Sequence, residues 1–102
     1  MSSRKAILSA KAVTRLKEIG RYTQLTFGRA QRLKYMDGLY QAIEELRQRP
    51  SLGRNVPGFE SAFHRYRVGS HFIYFQFDET ALSVLSVPHI SMDPSLHIET
   101  PQ

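Results

Sequence analysis

Three short apolar runs, separated by two turns, fill the last third of the chain. The turns fall at residues 68–70 (Val-Gly-Ser) and 78–80 (Asp-Glu-Thr), within residues 63–88. Apolar runs of this length, bounded by Gly, Ser and Asp, are typical of strands joined by tight turns. The pattern predicts an antiparallel three-stranded meander over about residues 63–88, followed by a tail over residues 89–102.

The side chains of this meander alternate between two faces. In the first strand Tyr66 and Val68 share one face, while Arg65 and Arg67 share the other. The second strand is apolar on both faces, which is typical of a strand that is covered on both sides. Helices can cover only one face, so we expect the other face to be covered by a partner or to remain an exposed aromatic patch. The apolar residues of the second strand are Ile73, Phe75 and Phe77 on one face and Phe72 and Tyr74 on the other.

Apolar residues recur every three or four positions in two earlier segments, at residues 10–25 and 29–49. This spacing predicts two amphipathic helices. Ser9 is the candidate N-cap of the first, Gly28 interrupts the pattern, and Pro50 ends the second. Because the connection is short, we expect an antiparallel helical hairpin over about residues 10–49. The predicted stripes are Ala12, Leu16, Ile19 and Tyr22, and then Leu33, Met36, Leu39 or Tyr40, Ile43 and Leu46.

The remaining segments complete a single domain over residues 1–102. Residues 4–8 form a candidate edge strand, and residues 51–61, rich in Pro, Gly, Asn and Ser, are predicted to be a loop. Gly38 lies inside the second helix at a cost of about 1 kcal/mol relative to Ala, so we expect it to permit close helix packing. The predicted fold is α+β: an N-terminal strand, an antiparallel helical hairpin and a three- to four-stranded antiparallel sheet.

The composition of the chain indicates the cellular compartment in which we expect it to work. No apolar run reaches the roughly 18 residues of a membrane span, and the N-terminus has no continuous apolar signal region. The chain has no cysteine, which removes disulfide and thiolate chemistry. We therefore expect a cytoplasmic protein that does not act on a membrane.

Charge is divided unevenly along the sequence. Residues 1–54 carry 12 Lys and Arg against 4 Asp and Glu, whereas residues 55–102 carry 2 against 5. A basic helical half attracts nucleic acid or an acidic protein segment. The alternative is an ordinary solvated face, so a basic nucleic-acid-binding module stays open at this point.

Candidate catalytic residues are present but their spacing does not bring them together. Acid–base cleavage of RNA needs a base, an acid and a cation near the phosphate, and six residues have suitable side chains. The four histidines lack the spacing of a metal site, and no glycine-rich phosphate loop is present, so we expect neither a metal nor a cofactor. The six candidates are Arg54, Arg65, Arg67, His71, Tyr74 and His89.

Four motifs follow one another along the chain in a recognisable order. Two lie in the helical half: aromatic-Gly-x-x-Gln-Ala-x-x-Tyr-x-x-x-Leu and Leu-x-x-x-Pro-x-x-Gly-Arg. The third belongs to a strand hairpin, and the fourth is His-x-x-Met-Asp in the tail. The matching residues are Phe27, Gly28, Gln31, Tyr35 and Leu39; Leu46, Pro50, Gly53 and Arg54; Arg67, Val68, Gly69, His71 and the run from Phe72 to Phe75; and His89, Met92 and Asp93.

Over about residues 6–98 these motifs make the chain resemble the ParE branch of the RelE/ParE toxins of bacterial toxin–antitoxin modules. The resemblance implies the α+β fold predicted above. It also implies a toxin that blocks DNA gyrase, through its A subunit, by protein–protein contact and without a catalytic residue. Its implied antagonist is a ParD-like antitoxin, whose flexible C-terminal segment wraps the toxin. Nucleic acid would then be involved only indirectly, through the antitoxin or gyrase.

The sister RelE branch cleaves ribosome-bound mRNA and is the alternative reading. Its hairpin resembles Arg-Val-Gly followed by an Arg three residues after the Gly, but Phe72 stands at that position here. An aromatic ring cannot hold a phosphate as a guanidinium does, which argues against a nuclease.

Three residues depart from the family pattern. Arg32 replaces a small Ala, so it must point to solvent or alter the helix packing. Ser86 replaces a basic residue that many family members have. If that basic residue contacts the target, its replacement weakens the expectation of gyrase binding. Pro88 replaces an apolar residue and predicts that the last strand ends there or lies at an edge.

The candidate partner-binding residues lie on the sheet, in the preceding loop and in the tail. Arg65, Arg67, His71 and Tyr74 belong to the predicted strands, and Arg54 to the loop. The tail residues follow from the resemblance: they are His89, Met92 and Asp93.

Overall fold

The computed structural model describes residues 4–58 and 62–92. Two helices follow a short first strand, and four further strands follow the helices. A single 3₁₀ turn, Pro50–Leu52, separates the helical and strand halves. The elements are β1 (Lys5–Leu8), α1 (Ala10–Phe27), α2 (Arg29–Gln48), β2 (Arg54–Val56), β3 (Phe63–Val68), β4 (His71–Phe77) and β5 (Ala81–Ser86).

The five strands form one mixed sheet in the order β1-β5-β4-β3-β2. Strands β2 to β5 are antiparallel to their neighbours, and β1 adds to the edge of β5 in parallel. The prediction of an α+β fold with an N-terminal strand and a three- to four-stranded antiparallel sheet is confirmed: four strands are antiparallel, and β1 joins them to make a mixed sheet of five. The loop prediction is wrong at Arg54–Val56, which pairs with β3 because that strand offers a free edge.

The helix boundaries follow the capping signals. The Ser9 hydroxyl accepts a hydrogen bond from the Ala12 amide at 3.0 Å, which satisfies one of the free N–H groups at the start of α1. Gly28 alone joins the helices, with a φ of 94° that residues with a side chain rarely adopt. The connection therefore reverses the chain in one residue and produces the predicted hairpin.

The helical hairpin packs on one face of the sheet, here called the inner face. Ile73 and Phe75 are fully buried beneath the helices, and Leu39 meets them from α2. Burying a large side chain of this kind contributes about 1.5–3 kcal/mol. The core consists of Ala12, Leu16, Ile19, Leu39, Ala42, Ile43, Leu46, Ile73, Phe75, Leu82, Val84 and Val87.

The predicted helical stripes are wrong at Tyr22 and Leu33, and of the alternatives Leu39 and Tyr40 the buried residue is Leu39. Tyr22, Leu33 and Tyr40 are exposed by 64%, 60% and 51%. On α1 the buried position is Thr23, whose hydroxyl donates to the Ile19 carbonyl and so needs no further partner. The apolar residues of α2 therefore extend well beyond the part of the helix that meets the sheet.

Arg32 is accommodated by a glycine on the facing helix. An added Cβ on Gly20 would lie 3.2 Å from the Arg32 Nε atom, and Arg32 also donates to the Gln24 side chain at 2.7 Å. The long side chain thus crosses α1 where a larger residue would obstruct it. Gly38 has no such role, because nothing lies within 4 Å of an added Cβ there, so the prediction of close packing at Gly38 is wrong.

Both predicted turns are present. Gly69, with a φ of 56°, and Ser70 join β3 to β4. The Asp78 carboxylate accepts from the amides of Thr80 and Ala81, which fixes the turn before β5. Neither described helix is long and apolar enough to cross a membrane.

Candidate partner-binding surfaces

The sheet face that points away from the helices, here called the outer face, has a small core of its own. Phe63 and Tyr74 are only 5% and 1% exposed there, and Phe72 and Leu85 pack against them. The sheet thus covers much of its own outer face. The predicted exposed aromatic patch is wrong for Tyr74, since neighbouring side chains bury it.

Three arginines lie on the same outer face and define what we call the arginine face: Arg54, Arg65 and Arg67. Arg54 and Arg65 are directly opposite each other on β2 and β3, and Arg67 lies two positions along β3. No carboxylate among the described residues pairs with any of them. Like charges at opposed strand positions repel, so this face gains from an acidic partner.

Arg65 is held in place by its neighbours. Its guanidinium carbon lies 4.4 Å from the centre of the Phe72 ring, within the range of a cation–π contact. One guanidinium nitrogen also approaches the Tyr74 hydroxyl at 3.5 Å. Tyr74 therefore supports Arg65 from beneath, and a partner would reach Tyr74 itself only by displacing side chains.

The tail continues the sheet past the end of β5. The Phe72 amide donates to the Pro88 carbonyl, and the Ile90 amide donates to the Ser70 carbonyl, both at 2.9 Å. Pro88 fits because its carbonyl is used and no N–H is required of it. As predicted, the regular strand ends before this proline.

These contacts place His89 opposite His71 and bring Met92 beside α1. The two histidines form a backbone bridge, and their ring centres are 5.4 Å apart. Met92 and Pro88 line a groove of about 410 Å³ against Arg15 and neighbouring residues of α1. Asp93, the third tail residue of the prediction, lies outside the described residues.

A tyrosine on α2 fixes this end of the sheet. The Tyr35 hydroxyl lies 2.6 Å from His71 Nδ1 and accepts from the Ser70 amide at 3.0 Å. Burial raises the Tyr35 pKa, against a smaller opposing contribution from the Ser70 hydrogen bond. The hydroxyl therefore remains protonated at neutral pH and ties α2 to the β3–β4 turn.

His71 is neutral at physiological pH. Burial lowers its pKa to about 4, and the positive Arg15 and the neighbouring His89 act in the same direction. On the other side of His89, its Nδ1 atom lies 2.8 Å from the Ser91 hydroxyl. The ring contacts and hydrogen bonds make this cluster a structural junction between α2, β4 and the tail.

The sheet separates the six residues suited to RNA cleavage into two groups. His71 and His89 lie at the end of the inner face, beside the helices, whereas Arg54, Arg65, Arg67 and Tyr74 lie on the outer face. A base and a phosphate-binding cation on opposite faces cannot act on one phosphate. Among residues 4–58 and 62–92, no three His, Asp or Glu side chains are grouped as a metal site requires.

Comparison with known proteins shows the family to which the chain belongs. The fold and surfaces define a small α+β protein with three arginines on its outer face that no described carboxylate pairs, and with its two tail-side histidines on the opposite face. Residues 6–94 match the ParE toxin of the type II toxin–antitoxin system parDE, so the chain belongs to the ParE toxin family. No curated protein sequence gives a match.

A solved structure shares the fold. It is described as a chromosomal ParDE toxin–antitoxin system from P. aeruginosa. The superposition has a TM-score of 0.72 at 14% sequence identity and covers 86% of this chain and 97% of the other. At 14% sequence identity, this similarity establishes that the two proteins share a fold.

The sequence pattern did not predict two features of these surfaces. Tyr35 appeared there only as a motif residue, because its contact with His71 joins segments far apart in the chain. The predicted stripe of α2 includes Leu33, and Tyr40 as the alternative to Leu39, although the excess of apolar positions on α2 is a signal that the helix has a second apolar side.

Proposed function

We propose that this protein is the toxin of a type II toxin–antitoxin module that arrests growth by binding DNA gyrase through its A subunit. Replication stops because gyrase is held by a protein–protein contact in the cytoplasm. A ParD-like antitoxin neutralises the toxin by wrapping it with a flexible C-terminal segment. Membership of the ParE toxin family supports the toxin role.

The arginine face is the observation that best supports a binding mechanism. Its three guanidinium groups have no carboxylate partner among the described residues, and Phe72 and Tyr74 hold Arg65 in position. Arginine is favoured at protein interfaces because its planar, weakly hydrated group forms two-pronged hydrogen bonds with carboxylates. We assign gyrase contact to this face, aided by the tail residues His89 and Met92.

Action by binding also fits the position of the histidines. The His71 ring contacts the Tyr35 hydroxyl and lies on the opposite side of the sheet from the arginine face. Its role in the proposed function is to hold the tail beside β4, where His89 and Met92 can meet a partner.

Gyrase inhibition can be tested with purified protein in a supercoiling assay. We expect the wild-type chain to block supercoiling and the double variant Arg54→Glu/Arg67→Glu to need at least tenfold more protein, because two exposed cations become anions. The matched control is Lys34→Glu, which reverses an exposed charge on α2. Supercoiling that is unaffected by a large excess of wild-type protein would show that gyrase is not the target.

The same preparation separates the two alternatives. A RelE-type ribonuclease would create new mRNA 5′ ends in the ribosomal A site after induction, and we expect none. A nucleic-acid-binding module would bind DNA or RNA with a steep dependence on salt concentration. We expect only weak binding that Arg54→Glu/Arg67→Glu does not selectively remove.

A further inference from the structure

We infer that the tip of the helical hairpin docks on an anionic phospholipid surface, where its apolar side chains enter the headgroup region and its cations meet the lipid phosphates. The hairpin tip is residues 21–31, which comprise the end of α1, Gly28 and the start of α2. It shares no residue with the arginine face. Lipid docking is a property beyond the proposed function, because gyrase binding does not require it.

The hairpin tip projects past the core. Thr23 is the last buried residue of α1, and Leu39 is the first buried residue of α2. Every residue from 24 to 31 is exposed. The Gly28 amide donates to the Gln24 carbonyl at 2.9 Å and the chain reverses in that one residue, so the two helix ends stay together beyond the core. The tip is therefore a convex projection from the helical layer.

The most exposed large apolar side chains among residues 4–58 and 62–92 lie on this tip. Leu25 is 77% exposed, Phe27 65% and Tyr22 64%, and none of them belongs to either core cluster. Apolar groups gathered on a projecting surface mark a site of interaction. Leucine and phenylalanine enter the boundary between headgroups and acyl chains, and tyrosine places its ring there with its hydroxyl in water.

The charges around the tip have one sign. Between Glu18 and Asp37 the chain carries four cations and no acidic residue. Glu18 pairs with Arg15 at 3.5 Å and Asp37 accepts from the Gln41 side chain at 2.9 Å, so both flanking carboxylates have partners outside the tip. Each cation that reaches an anionic leaflet strengthens binding to it. The four cations, which no described carboxylate pairs, are Arg21, Arg29, Arg32 and Lys34.

Other occupants satisfy only half of this surface. The backbone of duplex nucleic acid offers phosphates to the cations but no apolar surface to Leu25 and Phe27. A second copy of the chain covers the apolar groups but brings the same cations together, and their repulsion opposes association. A lipid surface meets both needs, because its anionic headgroups lie directly above the acyl chains. It also receives a convex tip without a preformed pocket.

Docking of this kind needs no membrane-spanning segment. Neither described helix is long and apolar enough to cross a membrane, whereas the tip has to enter only the headgroup region. The expectation that the chain does not act on a membrane was drawn from the lack of a spanning run, so it does not extend to docking at the surface. A chain held by its tip keeps the arginine face free for a protein partner.

The first test measures sedimentation of the whole chain with lipid vesicles. The vesicles contain either phosphatidylcholine alone or phosphatidylcholine and phosphatidylglycerol at about two to one. We expect binding to the anionic vesicles that weakens as salt is added, because salt screens the attraction between the cations and the headgroups. We expect binding to the neutral vesicles to be at least tenfold weaker. Absence of binding to anionic vesicles at low salt would overturn the inference.

Loss of the apolar side chains should weaken docking. We expect Leu25→Ser/Phe27→Ser to reduce binding to anionic vesicles at least tenfold, because nothing then enters the headgroup region. Circular dichroism and urea unfolding should be those of the wild type, since neither residue belongs to the core. The matched control is Val13→Ser, an exposed apolar position on α1 outside the tip, which should bind as the wild type does.

Loss of the cations should weaken docking as well. We expect Arg21→Gln/Arg29→Gln to reduce binding to anionic vesicles at least tenfold and to flatten its salt dependence. The control Lys5→Gln/Arg49→Gln makes the same change in net charge at the other end of the hairpin, where Arg49 follows α2 and Lys5 begins β1. Equal weakening by the two double variants would mean that net charge alone drives binding, which would overturn the assignment to the tip.

A fluorescent probe locates the contact without removing the tip. Because the chain has no cysteine, a dye that brightens in apolar surroundings can be attached at Leu25→Cys alone, or at Glu45→Cys elsewhere on α2. We expect anionic vesicles to brighten the dye at Leu25→Cys and brominated lipid to quench it there, with no change at Glu45→Cys. The opposite result would place the lipid on another surface and overturn the inference.

Two further outcomes would assign the tip to a different occupant. A dimer in gel filtration that Leu25→Ser/Phe27→Ser dissociates, without vesicle binding by the wild type, would identify a second copy. Retention of duplex DNA that Arg21→Gln/Arg29→Gln removes, again without vesicle binding, would identify nucleic acid. Either outcome would overturn lipid docking.

Discussion

At the scale of single residues, the junction of Tyr35, His71 and His89 shows how polar groups can fix a small fold. The Tyr35 hydroxyl meets both the His71 ring and the Ser70 amide, so one group on α2 holds the end of the sheet. Because the His71 ring is accommodated in its neutral form, protonation conflicts with its surroundings. The charged Arg15 and the neighbouring His89 add to that conflict.

Stability should therefore fall in mildly acidic solution. The His71 pKa is about 4 in the folded chain against about 6.5 when unfolded, so between these values the unfolded state binds more protons. The free energy of unfolding decreases as pH falls from about 6.5 to about 4, and this contribution is constant above that range. We expect a loss of about 1–2 kcal/mol, reduced from the full linkage value because water reaches part of the ring.

Urea unfolding at pH 7, 6 and 5 measures this effect. The control is His71→Gln, whose amide oxygen can accept from Tyr35 but cannot titrate. Subtracting its pH profile removes the contribution of the carboxylates. Identical slopes for the two proteins would mean that His71 does not cause the loss.

At the scale of secondary-structure elements, the two glycines Gly38 and Gly53 have opposite roles. Gly38 lies in α2 with open space around it, whereas a Cβ on Gly53 would come within 2.4 Å of the fully buried Phe75 ring. The glycine before β2 thus allows close approach to the sheet, and the glycine in the helix weakens that helix.

Alanine substitutions at the two positions should change stability in opposite directions. We expect Gly38→Ala to raise the free energy of unfolding by about 0.5–1 kcal/mol through helix propensity. We expect Gly53→Ala to lower it by about 1–3 kcal/mol, since Phe75 has no space to move. Chemical denaturation measures both, and a loss of stability in Gly38→Ala would indicate a packing contact at that position.

Elements were predictable where a local signal marks them. Ser9, Gly28 and Pro50 are such signals, and both helices begin and end within about two residues of the predicted positions. Strand β2 gave no such signal, because three residues followed by a proline have the composition of a loop and become a strand only beside β3.

The candidate site was predictable only in part, since its contacts are not local. Alternation along β3 correctly placed Arg65 and Arg67 together on the outer face. The burial of Tyr74 depends on side chains of neighbouring strands, and the contact between His71 and His89 depends on the return of the tail. Neither leaves a pattern in neighbouring residues.

At the scale of the whole molecule, the unpartnered arginines and the main core lie on opposite sides of the sheet. The arginine face is on the outer face, and the core lies between the inner face and the helices. Charge reversal on the arginine face should therefore change partner binding with little effect on the packing of the core.

Growth assays should separate a loss of target binding from a loss of folding. We expect Arg54→Glu/Arg67→Glu to lose most growth arrest with normal circular dichroism and unfolding, because the substitutions reverse two exposed charges. We expect the control Lys34→Glu to arrest growth as the wild type does. Growth arrest at the wild-type level by the double variant would mean that the arginine face does not contact the target.

The parallel pairing of β1 with β5 also determines when the fold can be completed during synthesis. Lys5–Leu8 is translated first, yet its sheet partner, Ala81–Ser86, is translated after every other strand. Contacts between such distant segments form late, because the intervening chain must be ordered first. A nascent chain on the ribosome therefore keeps an unclosed sheet edge until residue 86 has emerged, so we expect the fold to be completed only after β5 has been synthesised.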